Sequence, residues 1–453
     1  MYFKPTFNPR VFLLGSLIST AALSIALPVH SESLKEIYHQ ALQGDHEYLA
    51  AKAELKAGLE NKKLGRAALL PQVSADASYG TTDTKDKLTE VDYDGKSLSY
   101  GIELQQSIIN FASWHNYKRG KLGATGAELK FQLSEQALIL RVAEAYLNTL
   151  KRADEVSTAK AELNALSHQL EQTKQRFEVG LTAITEVHEA QAAFDSSTAS
   201  RLLAEGGLGI AFESLEALTG NSYETLFPLK KDFTASPPEP AARQAWVDLA
   251  LERNTTLQIA KLNTEIAEAS AKVAKSNHLP TLSGSIRYGA QDIDTNDVTV
   301  DESDVLSAGL RLSVPIYSGG GTSAARRQAA QESLQTYELY LKEKRDAVLA
   351  ARSTHLTVLT SAATVKAREQ AITSNRSALE ATQAGYDVGT RDLVDVLNSQ
   401  RFLYNAERDY YDALYEYILA TLRLKQAAGI LTVEDLYQLD ASLDKQRTVS
   451  YQQ

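Results

Sequence analysis

Hydrophobic and polar residues alternate strictly in four short stretches of this chain and recur at helical spacing almost everywhere else. Val73, Ala75, Ala77 and Tyr79 fall on one side of an extended segment, with Ser74, Asp76 and Ser78 on the other. The same period of two returns at Leu98, Tyr100, Ile102 and Leu104 against Ser99, Glu103 and Gln105. Successive side chains of a strand point to opposite faces, so each stretch predicts a strand with one dry face and one wet face. Polar residues 81–97 separate them, and the pair predicts a β-hairpin. A second hairpin follows Pro280. There Leu282, Ile286 and Tyr288 alternate with Ser283, Ser285 and Arg287, and an acidic loop runs from about Asp292 to Asp304. Leu306, Ala308, Leu310, Leu312 and Val314 then alternate with Ser307, Arg311 and Ser313. Strands of about ten residues can cross a bilayer when tilted. A half-buried sheet in a soluble domain would show the same alternation.

The rest reads as helix. Between Ser33 and Leu70, Leu34, Ile37, Ala41 and Leu42 share one face, and Pro71 ends the segment. Ala127–Val179 and Thr322–Ala384 hold neither glycine nor proline over about 53 and 63 residues. As helices these are rods of roughly 80 and 95 Å, and rods of that length need partner helices along them. Leu397, Tyr404, Tyr411 and Ile418 are spaced by seven, the seam of a left-handed coiled coil. A tyrosine stripe of this kind is packing before it is a ligand platform.

Two glycines break the rods at matching places. Arg176-Phe-Glu-Val-Gly180-Leu-Thr-Ala-Ile-Thr-Glu186-Val-His188 echoes Gly385-Tyr-Asp-Val-Gly389-Thr-Arg-Asp-Leu-Val-Asp395-Val-Leu-Asn398, with 209 positions between equivalents. Glycine reverses a chain at low steric cost, so Gly180 and Gly389 predict two helix-hairpin turns. The same offset relates Ala41-Leu42 to Ala250-Leu251, Leu70-Pro71 to Leu279-Pro280, Tyr79-Gly80 to Tyr288-Gly289 and Gly220 to Gly429. A period this long predicts an internal duplication. Residues 32–220 and 242–429 are then two repeats of helix, β-hairpin and helical hairpin. Residues 221–241, with Pro228, Pro237, Pro238 and Pro240, form a linker, and 430–453 a C-terminal segment whose tail from about Ala441 is polar and expected to be loose.

Lys4 and Arg10 precede an apolar run from Val11 to Leu27, and small or polar residues follow up to Ser31. This is the pattern of a secretory signal peptide over 1–31, with Val29 and Ser31 suiting a cut before Glu32 and a cut after Ala26 as the alternative. After it no apolar run approaches the ~20 residues of a membrane helix, so entry into a membrane requires closed β-structure. Four strands cannot close a barrel, and open edges are not tolerated in lipid, so copies of the chain must pool their strands.

Composition removes other classes. The chain has 47 basic and 57 acidic residues, a formal charge of −10, which is no nucleic-acid footprint. It has no cysteine, hence no disulfide, thiolate metal site or thiol nucleophile. His39, His46, His115, His168, His188, His278 and His355 are scattered without metal-ligand spacing. Gly206-Gly207-Leu208-Gly209 and Gly319-Gly320-Gly321 do not precede Lys-Ser/Thr and are not phosphate loops; the second reads as a strand-to-helix turn. No enzyme, metal or cofactor is expected.

The runs Tyr386–Gly389–Thr390–Arg391–Val394–Asp395–Val396–Leu397 and Val179–Gly180–Leu181–Ala183–Ile184–Thr185–Glu186–Val187 resemble the helix-hairpin turns of the TolC family of outer-membrane channel-tunnels. Leu-Pro before each first strand and the duplication resemble that family too. The resemblance implies a mainly helical chain with four transmembrane strands, three copies of which share one 12-stranded barrel. A coiled-coil tunnel would cross the periplasm below it, with a belt of mixed structure around its middle. It implies a homotrimer that exports drugs or unfolded proteins together with a periplasmic adaptor and an inner-membrane transporter. Carried over by position, polar links that shut the periplasmic mouth fall on Thr185, Glu186, Tyr386 and Arg391. An acidic entrance ring falls on Asp395, while Asn398 stands where a second aspartate is common, which weakens the expected attraction for cations. The competing readings are a non-conducting periplasmic coiled-coil or adaptor protein and, against the length of the rods, a porin-like sieve.

Overall fold

The computed structural model describes residues 32–86, 91–295 and 299–450. The signal-peptide reading of 1–31 lies outside these residues. The chain begins as three short helices, α1 (Leu34–Gly44), α2 (His46–Leu59) and α3 (Asn61–Ala67), where periodicity predicted one. Capping explains the breaks. Ser33 and Glu36 bond each other's backbone at the start of α1, and the Asp45 carboxylate accepts the Tyr48 N–H at 2.9 Å to open α2.

Strands β1 (Gln72–Asp86) and β2 (Val91–Ile109) form the first hairpin. Helix α4 (Phe111–Glu178) and α5 (Ile184–Thr219) follow, then the short strand β3 (Thr225–Leu226). The second half runs α6 (Arg243–Arg253), α7 (Thr255–Ser276), β4 (Thr281–Thr295), β5 (Thr299–Ser313), α8 (Gly321–Asp387) and α9 (Leu393–Ala427). Helix α10 (Val433–Ala441) and strand β6 (Val449–Ser450) close the described chain.

The four long strands make one antiparallel sheet in the order β1-β2-β4-β5. They are longer than the apolar alternation. Thr81 pairs with Lys96, Thr82 with Gly95 and Asp294 with Thr299, so much of each expected polar loop belongs to the ladder. Backbone pairing needs no apolar side chain, and the alternation marks only the part of the strand with a dry face. The register lines up Val73, Leu104, Ile286 and Ala308 across the sheet, and next to them Ala75, Ile102, Tyr288 and Leu306. This face is open: Leu306 is 72 % and Leu310 74 % exposed. On the opposite face Arg287 meets Asp76 at 2.7 Å and Glu103 at 3.7 Å. Among the described residues β1 and β5 each keep one unpaired edge.

Helices α4 and α8 run 68 and 67 residues, about 100 Å each. Helix α4 starts at Phe111, well before the glycine-free stretch, and passes through Gly120, Gly123 and Gly126. A Cβ on Gly120 would sit 2.4 Å from the Asn61 carbonyl oxygen, so here glycine buys the close crossing of α3 over α4. Along the rods the neighbours are α8, α9, α4 and α5 in that order. No helix of the described residues is long and apolar enough to cross a membrane.

The main core lies partway along the rods, not at the sheet. Leu34, Ile37, Tyr146, Leu150, Leu215, Leu226, Leu424 and Leu436 pack there. Linker and tail belong to it. Leu226 and Leu443 are buried, β3 pairs with β6, and the Tyr417 hydroxyl donates to the Ser236 carbonyl at 2.8 Å. The tail expected to be loose is therefore strapped down as far as Ser450, because Leu443 and Val449 supply apolar anchors that its polar composition concealed.

Candidate functional site: the helix-hairpin mouth

Both hairpins turn through the same backbone device. The Gly180 N–H donates to the Phe177 carbonyl at 2.9 Å and the Leu181 N–H to the Arg176 carbonyl at 2.8 Å. At the second turn Gly389 donates to Tyr386 at 3.0 Å and Thr390 to Gly385 at 2.8 Å. This is the Schellman pattern, which needs a left-handed residue after the helix, and φ is +78° at Gly180 and +77° at Gly389. Asp392 then caps α9 by accepting the Asp395 N–H at 2.8 Å. The turns hold Glu186 in the first turn of α5 and Tyr386 in the last turn of α8.

The tips are tied together. The Tyr386 hydroxyl donates to Glu186 Oε2 at 3.0 Å, joining the two hairpins. Tyr386 is 4 % exposed and its ring packs in a small core with Leu166, Leu170, Ala190, Leu393, Val396 and Leu397. The Arg176 guanidinium stacks on the same ring, 4.7 Å from its centroid. Burial first, then the hydrogen bond to Glu186 and its negative charge, raise the Tyr386 phenol above its ordinary value, so it stays a donor.

Of the four expected links, Glu186 and Tyr386 meet, and the other two do not join them within one copy. Thr185 is exposed. Arg391 pairs instead with Asp395, at 3.3 Å on its own helix turn. Its stem lies over Gly385, where a Cβ would fall 2.8 Å from Arg391 Cγ. Asp395 and Asn398 are both half-buried on α9. The sequence reading missed Arg176, whose equivalent 209 positions on is Gly385, so the repeat gave no signal for it. It also missed the Asp76–Glu103–Arg287 cluster, whose signal was three charges on one face of adjacent strands.

An amphipathic antiparallel sheet with two edges unpaired among the described residues, set on long helix hairpins, is the fold of outer-membrane channel proteins. The Campylobacter jejuni CmeC outer membrane channel superposes with a TM-score of 0.75, 17% identity, over 97% of this chain and 99% of that one. The outer membrane protein VceC of Vibrio cholerae gives 0.75 at 19% identity, over 87% and 96%. The chain belongs to the outer membrane efflux protein family, whose sequence profile matches residues 37–221 and again 246–430. The outer membrane protein TolC of Vibrio cholerae is 36% identical over 95% of this chain and 98% of its own length. The alkaline protease secretion protein AprF of Pseudomonas aeruginosa is 31% identical over 88% and 85%.

Proposed function

We propose that this chain is the protomer of a trimeric exit duct through the outer membrane and periplasm, built from a duplicated half. The observation that carries this reading is the sheet, with its apolar face open and both outer edges unpaired. Neither feature is tolerated by an isolated chain, and a barrel closed from several copies removes both. Three copies supply twelve strands, within the range of bacterial barrels. The helices support the same closure. Leu203 and Ile210 on α5 and Leu349 and Leu356 on α8 are exposed, each pair seven residues apart, on the two helices at the ends of the row. Joining α5 of one copy to α8 of the next makes a head-to-tail ring with coiled-coil seams.

In this duct the Glu186–Tyr386 link holds the periplasmic mouth shut, exposed Thr185 at the tip can bond a neighbouring copy, and Arg391 can do so by leaving Asp395. Three Asp395 carboxylates ring the entrance, each partly offset by its own Arg391. A docking adaptor opens the mouth by replacing these polar bonds, which costs no unfolding. The relatives named for TolC and for protease secretion favour a cargo of drugs or unfolded proteins, delivered by an inner-membrane transporter. The test is extraction and sizing. The mature protein requires detergent, runs as a heat-labile trimer and forms a small pore in planar bilayers. A detergent-free monomer in plain buffer would refute the duct.

A further inference from the structure

Next to the sheet the chain's charge reverses. The molecule is acidic overall, yet residues 61–75, 104–127, 269–291 and 305–331 contain no aspartate or glutamate. These stretches are the four junctions between sheet and helix, at α3–β1, β2–α4, α7–β4 and β5–α8. Their helical parts carry Lys62, Lys63 and Arg66, then Lys118, Arg119 and Lys121, then Lys272 and Lys275, then Arg326 and Arg327. All are exposed. Among the described residues Lys63 alone of these has an ion-pair partner, Glu60 at 2.8 Å. None lies more than ten residues from the sheet-facing end of its helix, about 15 Å.

Two observations separate this collar from an ordinary solvated surface. Lys63 and Lys272, Arg66 and Lys275, and Lys118 and Arg327 stand 209 positions apart, so both halves place a cation at three equivalent sites. Neighbouring charges do not keep that register: Glu60 matches Ala269, Lys62 matches Ala271 and Arg119 matches Gln328. The same junctions also expose large apolar side chains, Leu64, Phe111, Trp114, Ile316 and Tyr317, with Ile316 95 % and Tyr317 86 % exposed. Aromatic rings beside cations are what a membrane–water boundary selects.

We infer that Lys63, Arg66, Lys118, Lys272, Lys275 and Arg327 form a basic collar that binds the phosphodiester headgroups of anionic phospholipids in the leaflet from which the helices leave. This rests on the outer-membrane duct reading. A cation near an anionic membrane surface is attracted over a Debye length of roughly 8 Å, and each adds to the same field. The collar repeats about the barrel axis, so it selects the lipid annulus around the whole duct and fixes the depth at which the sheet sits.

Trp114 provides the readout, since it stands in the collar while Trp246 is buried in α6. The protein is reconstituted into phosphatidylcholine vesicles containing equal small fractions of brominated phosphatidylglycerol or brominated phosphatidylcholine. Flotation and heat-labile trimers on gels establish insertion independently. The expected result is roughly twofold or greater excess quenching by the phosphatidylglycerol at low salt, lost in high salt. The excess also disappears when all six residues are changed to glutamine, with insertion retained. Equal quenching by both lipids in inserted wild-type protein would overturn the collar and leave the duct intact. Failure to float would reject the duct itself. Quenching by neither lipid in floated protein would place Trp114 and the collar away from lipid and also overturn the inference.

Discussion

Changing Tyr386 to Phe removes one oxygen and little else. The ring is almost fully buried against Leu393, Val396 and Leu397, and Phe keeps that packing and the Arg176 stack. What is lost is the 3.0 Å bond to Glu186. A hydrogen bond to a charged group contributes about 1.5–3 kcal/mol, and the half-buried setting of Glu186 puts this one near 1–1.5 kcal/mol. If the three such links of a trimer break together, the closed state loses about 3–4.5 kcal/mol, which lowers the closed-to-open ratio by roughly 10²–10³. The assay is single-channel conductance in planar bilayers, with Tyr386→Phe, Glu186→Gln and the pair compared in a double-mutant cycle. The expected outcome is a larger or more often open pore in each single variant and little further gain in the double. Tyr386→Ala should open it further, because it also removes the ring on which Arg176 lies. Conductance in Tyr386→Phe equal to wild type, or strictly additive effects in the cycle, would refute the assignment of this contact as the lock.

The other expectations concern separate parts of the molecule. Burial raises the Asp154 carboxyl from 3.8 to about 6, against the opposing hydrogen bond from Tyr415 and the charge of Arg447. A carboxyl raised on folding penalises the folded state above that pKa, and the penalty fades as pH falls through 6 towards 4, so the folded state should gain on the order of 2 kcal/mol between pH 7 and pH 4 from this group. Asp154→Asn should remove that component from thermal melts followed against pH. Ile210→Glu on the exposed face of α5 should shift the proposed trimer towards monomer in detergent sizing, with helical content by circular dichroism unchanged. Gly180→Ala should cost only the left-handed strain of about 1–2 kcal/mol, since no atom lies within 4 Å of its added Cβ. Gly429→Ala should be far more damaging in thermal unfolding, because its Cβ would fall 2.2 Å from the Arg253 carbonyl oxygen. Asp395→Ala should weaken block by multivalent cations added at the periplasmic side, and equal block with and without this carboxylate would remove it from the entrance.

The sheet, the rods and the two turns were legible in the sequence because each has a local cause: period-two alternation, long glycine-free runs, and a glycine where φ must be positive. The strands ran past their apolar segments because a ladder is made by backbone, which leaves no composition mark. The strap formed by β3 and β6 was invisible for a different reason. Its strength lies in Leu226, Leu229 and Leu443, single apolar residues in polar surroundings that find partners more than two hundred residues away. The mouth divides along the same line. Glu186 and Tyr386 were placed through the family resemblance of the two turns, since the repeat itself sets Tyr386 on Phe177 and Glu186 on Asp395. Arg391 was placed in the same way, and its pairing with Asp395 four residues on within one copy was not legible, because a carboxylate at that spacing competes with one on another hairpin. That choice has a functional consequence. In the proposed duct, an Arg391 paired with Asp395 would neutralise part of the entrance charge in the same copy, so its transfer to a neighbour's tip would both lock the mouth and expose the acidic ring. Conductance block by cations should therefore rise, not fall, in any state where the tips are tied between copies, and Arg391→Ser should raise it further while loosening the mouth.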